Sequence, residues 1–181
     1  MNLNEKRLSG ETIYAGRILT LEVDRVELPN GRQSTREVIR HPGGACVAAL
    51  TDKDELLFVR QFRYPYGRVL WELPAGKLSP GEDPVLCAAR ELSEETGVSA
   101  AKWCSLGALY PSVGYTDEVL HLYAATDLTF GETHPDEGEF LDVKRIPLTE
   151  AVRMAEAGEL PDAKTQALVL RVALLRQKGE I

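Results

Sequence analysis

The chain has little cysteine and no long hydrophobic run. Its three cysteines, Cys46, Cys87 and Cys104, are far apart and odd in number, which excludes a disulfide framework and the paired spacing of a zinc site. We therefore expect reduced thiols in a cytoplasmic protein. The longest apolar run, residues 45–50, is too short to cross a bilayer. No basic flank followed by an apolar stretch opens the chain, so we predict neither a secretory signal nor a membrane partner.

The chain also lacks an excess of positive charge. Its 21 basic and 28 acidic residues give a formal charge of −7, which disfavours non-specific binding to the nucleic acid backbone. With 181 residues, 44% of them hydrophobic, it is long enough to bury the core of one domain. An acidic protein that acts on an anionic phosphate needs metal cations or local arginines to offset the repulsion.

The N-terminal part of the sequence has β character. Between residues 11 and 41 a turn at Pro29-Asn30-Gly31 predicts a hairpin whose return strand covers residues 34–40. Apolar residues alternate up to Val23 and resume at Val26 on a shifted phase, which indicates a bulge.

The rest of the chain mixes strands and helices without strict alternation. A break at residues 41–44 divides residues 1–41 from a main domain, 42–181. We predict a helix over residues 83–96 and two C-terminal helices, capped by Thr149 and Asp162. Short strands are predicted at 45–51, 56–62, 69–73, 101–109, 118–127 and 139–147. This order predicts an α+β fold, a mixed sheet with helices packed on it.

The helix at residues 83–96 carries the most informative pattern. Asp83 is a good N-cap, and Gly97 is a good C-terminal stop. On a helical projection Glu91, Glu94 and Glu95 face away from an apolar stripe. A solvated acidic face is one reading. The other is a site for hard divalent cations, which prefer carboxylate oxygens and bind phosphate at their open positions. The loop before the helix contains Gly76, which permits close approach of main-chain oxygens.

This stretch resembles the Nudix box, Gly-x5-Glu-x7-Arg-Glu-U-x-Glu-Glu-x-Gly-U, in which U is a bulky aliphatic residue. Its nine specified positions all match; they are Gly76, Glu82, Arg90, Glu91, Leu92, Glu94, Glu95, Gly97 and Val98. A chance match in a chain of this length is on the order of 10⁻⁷ from average residue frequencies. The match favours the metal site strongly over the solvated face.

The resemblance implies a Nudix-type α/β/α sandwich and a metal-activated water that attacks a diphosphate. The implied metal is Mg²⁺, with Mn²⁺ as a substitute. Its ligands would be Glu91, Glu94 and Glu95 together with the main-chain oxygen of Ala75. Arg90 would orient the glutamates through charge-assisted hydrogen bonds. The resemblance also implies a homodimer formed through the N-terminal hairpin, which would bring Glu37 towards the neighbouring site.

Flanking segments resemble the ADP-ribose pyrophosphatase branch of that family. They are residues 16–19, 59–63, 71–76, 110–118 and 162–165. The resemblance implies cleavage of ADP-ribose to AMP and ribose 5-phosphate; the alternative is another nucleotide sugar such as GDP-mannose. Arg17 and Glu37 lie where this branch contacts adenine and ribose. Ser112 and Gly114 stand in a substrate loop that departs from the usual Ser-Pro-Gly, with Val113 between them.

Two arginines and two glutamates remain with open roles. Arg60 and Arg63 either bind the diphosphate or pair with Glu72, and strand alternation puts them on opposite faces. A catalytic base is expected in the loop of residues 134–139, where Glu137 is preferred over Glu139. If neither acts, Glu94 is the leading candidate. Three rival functions are disfavoured. The intact box disfavours a non-catalytic nucleotide sensor, and the acidic charge disfavours RNA decapping. The flanking segments disfavour cleansing of nucleotide triphosphates.

Overall fold

The computed structural model describes residues 2–134 and 140–181. The chain divides into two compact units. The first contains the residues up to Gly43 together with Tyr110–Val119, and the second contains Gly44–Leu109 and Leu120–Ile181. In the part of the chain described, no helix is both long and apolar enough for a membrane span.

The first unit is built on a three-stranded antiparallel sheet of order β1-β2-β3. Its strands are β1 (Lys6–Ala15), β2 (Thr20–Glu27) and β3 (Gln33–Arg40). The hairpin turn predicted before β3 is present, with Gly31 at a φ of 79°, where glycine is favoured. The predicted hairpin is nevertheless incomplete, because β1 adds a third strand. The pattern did not reveal β1, since every residue in it is exposed.

The predicted bulge lies on a different strand. Pairing between β2 and β3 runs without interruption, whereas the shifts between β1 and β2 fall at Arg7/Ser9 and Thr12/Tyr14. The extra residues therefore belong to β1. The segment Tyr110–Val119 joins this unit through a parallel bridge between Ile39 and Thr116. Main-chain hydrogen bonds connect Ile39 N to Tyr115 O at 2.7 Å and Asp117 N to Ile39 O at 3.1 Å.

In its described residues, the second unit contains two sheets and three helices. A mixed sheet of order β7-β4-β9-β8 consists of β4 (Gly44–Ala49), β7 (Ala75–Lys77), β8 (Val98–Leu109) and β9 (Leu120–Phe130). An antiparallel sheet of order β10-β5-β6 consists of β5 (Glu55–Arg63), β6 (Arg68–Glu72) and β10 (Asp142–Pro147). The helices are α1 (Pro84–Thr96), α2 (Leu148–Glu156) and α3 (Ala163–Lys178). A 3-10 turn, Tyr64–Tyr66, connects β5 to β6.

Strand β4 shows how the layers are made. It is fully buried, and alternate side chains point to opposite faces of its sheet. Ala45, Val47 and Ala49 pack with the apolar residues of α1, whereas Cys46 and Ala48 pack with those of α3. Helices thus cover both faces, as expected for an α/β/α sandwich.

Two local predictions for this unit were wrong. Thr149 does not cap α2, because the helix already begins at Leu148 and its N-cap is Pro147, which makes no side-chain capping bond. The residues before α1 are not all loop, because Ala75–Lys77 pair with β4 as the short strand β7. Because Gly76 has no side chain, this strand leaves room for Glu91, whose carboxylate oxygen would lie 1.8 Å from a Cβ at that position.

Candidate active site

Helix α1 presents the acidic residues, and its ends are set by the predicted caps. The Asp83 side chain accepts a hydrogen bond from Val85 N at 3.0 Å, and Pro84 is the first helical residue. Gly97 ends the helix in the left-handed conformation, with a φ of 68°. Cys87, Ala88 and Leu92 bury one side of the helix. This burial fixes the rotation of the helix about its axis, which in turn sets the directions of the glutamates.

Arg90 lies at the centre of the acidic cluster. Its guanidinium donates from Nε to Glu82 Oε1 at 3.0 Å and from Nη2 to the Lys77 carbonyl at 3.2 Å. Its Nη1 donates to Glu91 Oε1 at 2.6 Å and to Glu94 Oε2 at 3.0 Å. A planar fork of donors suits this task because it can hold several carboxylates in fixed directions.

The charges in this cluster stabilise one another. The pKa of Arg90 is raised above its ordinary value, first by the hydrogen bond to Glu82. The pKa of Glu82 is lowered, first by the hydrogen bond from Arg90 and then by the one from Ser79 N, which is 2.8 Å long. Glu82 thus connects the loop before α1 to the arginine that contacts Glu91 and Glu94.

Glu91 and Glu95 both lie against strand β7. The Glu91 carboxylate occupies the space that a Cβ on Gly76 would fill. Glu95 Oε2 accepts a hydrogen bond from Ala75 N at 3.2 Å. Glu95 is only 3% exposed, so the expectation that it points away from the packed side of the helix was wrong. The reason is that α1 packs on β7 as well as on β4.

A buried ionic network surrounds Glu72, the last residue of β6. The Glu72 carboxylate is 3% exposed and accepts from Arg63 Nε at 2.6 Å and Nη2 at 2.7 Å. Lys164 Nζ contacts it at 2.6 Å and contacts Asp162 Oδ2 at 2.9 Å. Burial alone would raise the pKa of Glu72, but the Arg63 hydrogen bond and the charge of Lys164 outweigh it, so the pKa is lowered.

Arg60 and Arg63 differ in the way that strand alternation predicted. Arg63 pairs with Glu72, whereas Arg60 is exposed, pairs with Asp142 through two hydrogen bonds and lies 5.2 Å from the centre of the Trp71 ring. Of the two roles left open by the sequence, pairing with Glu72 therefore belongs to Arg63.

The remaining predicted substrate residues belong to the first unit. Arg17 and Glu37 are exposed, in the β1–β2 turn and on β3 respectively. Ser112 is half-buried and its carbonyl accepts from Thr116 N at 3.4 Å, whereas Gly114 is exposed. All four belong to the first unit, whereas the acidic helix belongs to the second. Glu137 and Glu139 lie outside the described residues.

Comparison with known proteins gives this arrangement a family. A model described as the NUDIX domain matches residues 40–168. The chain belongs to the Nudix family. A second model, the nucleoside diphosphate sugar hydrolase N-terminal domain, matches residues 5–39. The solved structure of an ADP compounds hydrolase is similar, with a TM-score of 0.85, 25% identity and coverage of 100% of both chains. The predicted α+β Nudix fold is confirmed.

Relatives of this Nudix hydrolase cover most of its length. The ADP-ribose pyrophosphatase of Bacillus subtilis is 43% identical over 98% of the chain and 99% of its own length. The methanol dehydrogenase activator of Bacillus methanolicus is 42% identical over 94% of the chain and 95% of its own length. A GDP-mannose pyrophosphatase of Yersinia enterocolitica is more distant, at 31% identity over 76% of the chain and 76% of its own length.

Nudix hydrolases generally use divalent metal ions, and the donors of this site fit such an ion. Glu91, Glu94 and Glu95 supply carboxylate oxygens, and the Ala75 carbonyl belongs to the peptide group between the two β7 residues that Glu95 and Glu91 contact. All of these are hard oxygen ligands of the kind that Mg²⁺ prefers. Within residues 2–134 and 140–181, no group of three acidic, histidine or cysteine side chains is arranged around a common metal position. Arg90 instead donates hydrogen bonds to Glu91 and Glu94, and Glu95 accepts one from Ala75 N.

Two surface clefts lie elsewhere on the second unit. They have volumes of about 640 and 510 Å³ and share Lys102, Thr126 and Ile181 in their walls. No residue of the Nudix box lines either of them. We therefore place the chemistry at α1 and β7 rather than in the larger cleft, since the carboxylates required for metal binding are there.

The buried part of the site was only partly predicted from the sequence. Glu72 was predicted only as an alternative partner of Arg60 or Arg63, and Thr165 only as part of a flanking segment, yet both are buried next to the β6–β7 connection. A signal for Glu72 was present, because an acidic residue between Trp71 and Leu73 in an apolar strand requires a cationic partner when buried. A signal for Thr165 was its place three residues after the N-cap Asp162.

Proposed function

We propose that this Nudix hydrolase cleaves the diphosphate of ADP-ribose, giving AMP and ribose 5-phosphate, and that Mg²⁺ is its metal. The observation that carries the proposal is the acidic face of α1 against β7, in a chain similar over almost its full length to an ADP-ribose pyrophosphatase. GDP-mannose is the competing substrate, and the lower identity and coverage of the GDP-mannose pyrophosphatase disfavour it.

The metal would be held by Glu91, Glu94, Glu95 and the main-chain oxygen of Ala75. When bound, Mg²⁺ neutralises the diphosphate and lowers the pKa of a coordinated water. Arg90 contributes by fixing the directions of Glu91 and Glu94, which repel each other and would otherwise point apart. Glu95 contributes by remaining close to β7, where its carboxylate accepts a hydrogen bond from Ala75 N.

A base is needed in addition to the metal ligands, and we assign it to Glu137 or Glu139. A carboxylate engaged with a metal is a weak proton acceptor, so a separate one has to position or deprotonate the attacking water. Glu137 remains the preferred residue and Glu94 the alternative. Arg17, Glu37, Arg60, Ser112 and Gly114 are proposed substrate contacts. Each would affect binding of the nucleotide sugar more than the chemical step.

We also propose a homodimer in which the N-terminal strands form the contact. Strand β1 is exposed along its whole length, and its apolar side chains Leu8, Ile13 and Tyr14 are between 42% and 59% exposed. An edge strand with such side chains is rarely left in water, because it promotes pairing with another chain. The cytoplasm is the proposed location, since the cysteines of the described residues are free thiols.

The experiment that tests this proposal is a substrate panel in Mg²⁺. ADP-ribose, GDP-mannose, a nucleoside triphosphate and a capped RNA are compared by kcat/KM with the wild-type chain. We expect ADP-ribose to lead the panel by at least about tenfold, which corresponds to 1.4 kcal/mol of preferential transition-state stabilisation. Glu91→Gln tests the metal site, and Glu156→Gln, an exposed glutamate on α2, is its matched control. Preference for GDP-mannose would leave the Nudix chemistry standing and overturn the choice of substrate.

A further inference from the structure

The N-terminus of α3 lies in the segment Asp-Ala-Lys-Thr of residues 162–165. Asp162 caps the helix, and its Oδ2 accepts from Thr165 N at 3.0 Å and from Thr165 Oγ1 at 2.5 Å. Thr165 is fully buried. Its hydroxyl proton is therefore committed to Asp162, which leaves the oxygen lone pairs available as acceptors. One of them accepts a hydrogen bond from Leu73 N at 3.0 Å.

Leu73 is the first residue of the short connection from β6 to β7. Hydrogen bonds hold the main chain of this connection and of the first β7 residue in place. Thr165 holds Leu73 N, and Val47 N donates to the Pro74 carbonyl at 2.9 Å. The third anchor is Glu95, which accepts from Ala75 N. The Ala75 carbonyl, the proposed main-chain ligand of the metal, is thus located by one anchor on the Nudix helix and one on α3.

The ionic network keeps the α3 anchor in place. Lys164 Nζ lies 2.6 Å from Glu72 Oε2 and 2.9 Å from Asp162 Oδ2. The cation holds Asp162 in the direction from which it accepts the Thr165 proton. Glu72 is the residue immediately before Leu73, so the same network restrains both partners of the Thr165–Leu73 hydrogen bond.

We propose that Thr165 is a positioning residue for the metal site. Through Leu73 it sets the place of the Ala75 carbonyl, and thereby the affinity of the site for a divalent ion. This inference rests on the proposed function, because it takes Ala75 as a ligand. Thr165 acts through the main chain of the β6–β7 connection, so it is not assigned a catalytic role.

The test is Thr165→Val, which keeps the shape of the side chain and removes the acceptor. Mn²⁺ alone is titrated into the full-length protein, and its affinity is measured by calorimetry. We expect Mn²⁺ to bind about tenfold more weakly, the lower end of the effect of residues that support metal ligands. Amide exchange at Leu73 should accelerate. Thr165→Ser retains the hydroxyl and should restore both measurements to near the wild-type values.

Thr51→Val is the matched control. Thr51 is 7% exposed, and its Oγ1 accepts from Lys53 N at 3.2 Å and Glu55 N at 3.1 Å, in a turn that does not include the β6–β7 connection. It should lower the melting midpoint by a few degrees, as Thr165→Val should, and leave Mn²⁺ affinity unchanged. If Thr165→Val does not fold, Thr165→Cys replaces it, because a thiol is a weak acceptor of similar size and should give a smaller loss of affinity.

Three results would overturn the inference. Thr165→Val could bind Mn²⁺ within twofold of the wild type, both valine variants could lose affinity equally, or the wild-type chain could fail to bind Mn²⁺. Failure of the proposed function looks different. A wild-type chain that binds Mn²⁺ normally but hydrolyses no member of the substrate panel contradicts the function, and the effect of Thr165 on Mn²⁺ affinity is still measured.

Discussion

Replacing Glu95 by glutamine distinguishes the loss of a metal ligand from a loss of stability of the fold. The side chain is 3% exposed and accepts from Ala75 N at 3.2 Å. Glutamine is nearly isosteric, and its carbonyl oxygen can accept the same hydrogen bond. A bond to a charged acceptor contributes roughly 1 kcal/mol more than a neutral one. Removing the like charge from the Glu91–Glu95 pair returns about 0.2–0.5 kcal/mol.

The free energy of unfolding should therefore fall by less than about 1 kcal/mol. For a chain of this size that lowers the melting midpoint by roughly 2–4 °C. Activity should fall much further, by more than about 100-fold, because a charged metal ligand is lost and even residues that only support such ligands cost 10–100-fold. The assay is kcat for ADP-ribose in Mg²⁺ beside a melting curve, with Glu156→Gln as the control. Turnover near that of the wild type would refute the metal assignment.

Three further predictions concern the base, the dimer and the response to acid. Either Glu137→Gln or Glu139→Gln should lose much of kcat while substrate affinity is retained; if both remain within a few-fold, the base is elsewhere and Glu94 is tested next. Light scattering at micromolar concentration should give the mass of a dimer, and a fully active monomer would exclude the proposed contact. The lowered pKa of Glu72 contributes stability that is present above the ordinary glutamate pKa of about 4.3 and is lost as the pH falls. Urea unfolding of Glu72→Gln should accordingly show lower stability at pH 7, by roughly 3 kcal/mol, and a weaker dependence on pH in acid than the wild type; equal dependence would mean that another group is responsible.

The elements that the sequence predicted well are those specified locally. Asp83 and Gly97 bound α1, and Asp162 caps α3, because each acts on main-chain groups within four residues. Thr149 is not a cap because the helix begins one residue before it, at Leu148, a residue that is buried in the core. Boundaries that depend on packing are therefore less predictable than boundaries that depend on caps.

The features that escaped prediction depend on distant pairing. Strand β1 has no alternating burial to reveal it, and the bridge between Ile39 and Thr116 joins segments 77 residues apart. Glu95 reads as a surface residue on the helical projection, and only the pairing of β7 with β4 creates the strand that buries it. The motif predicted which acidic residues form the site, whereas the residues that surround them could be identified only from the fold.

The products that the chain forms from ADP-ribose show whether it is an ADP-ribose hydrolase. ADP-ribose is incubated with the wild-type chain in Mg²⁺, and the products are identified and quantified by mass spectrometry. We expect AMP and ribose 5-phosphate in equal amounts, with formation abolished by a chelator and restored by added Mg²⁺. Unchanged ADP-ribose under conditions in which another nucleotide of the panel is hydrolysed would contradict it.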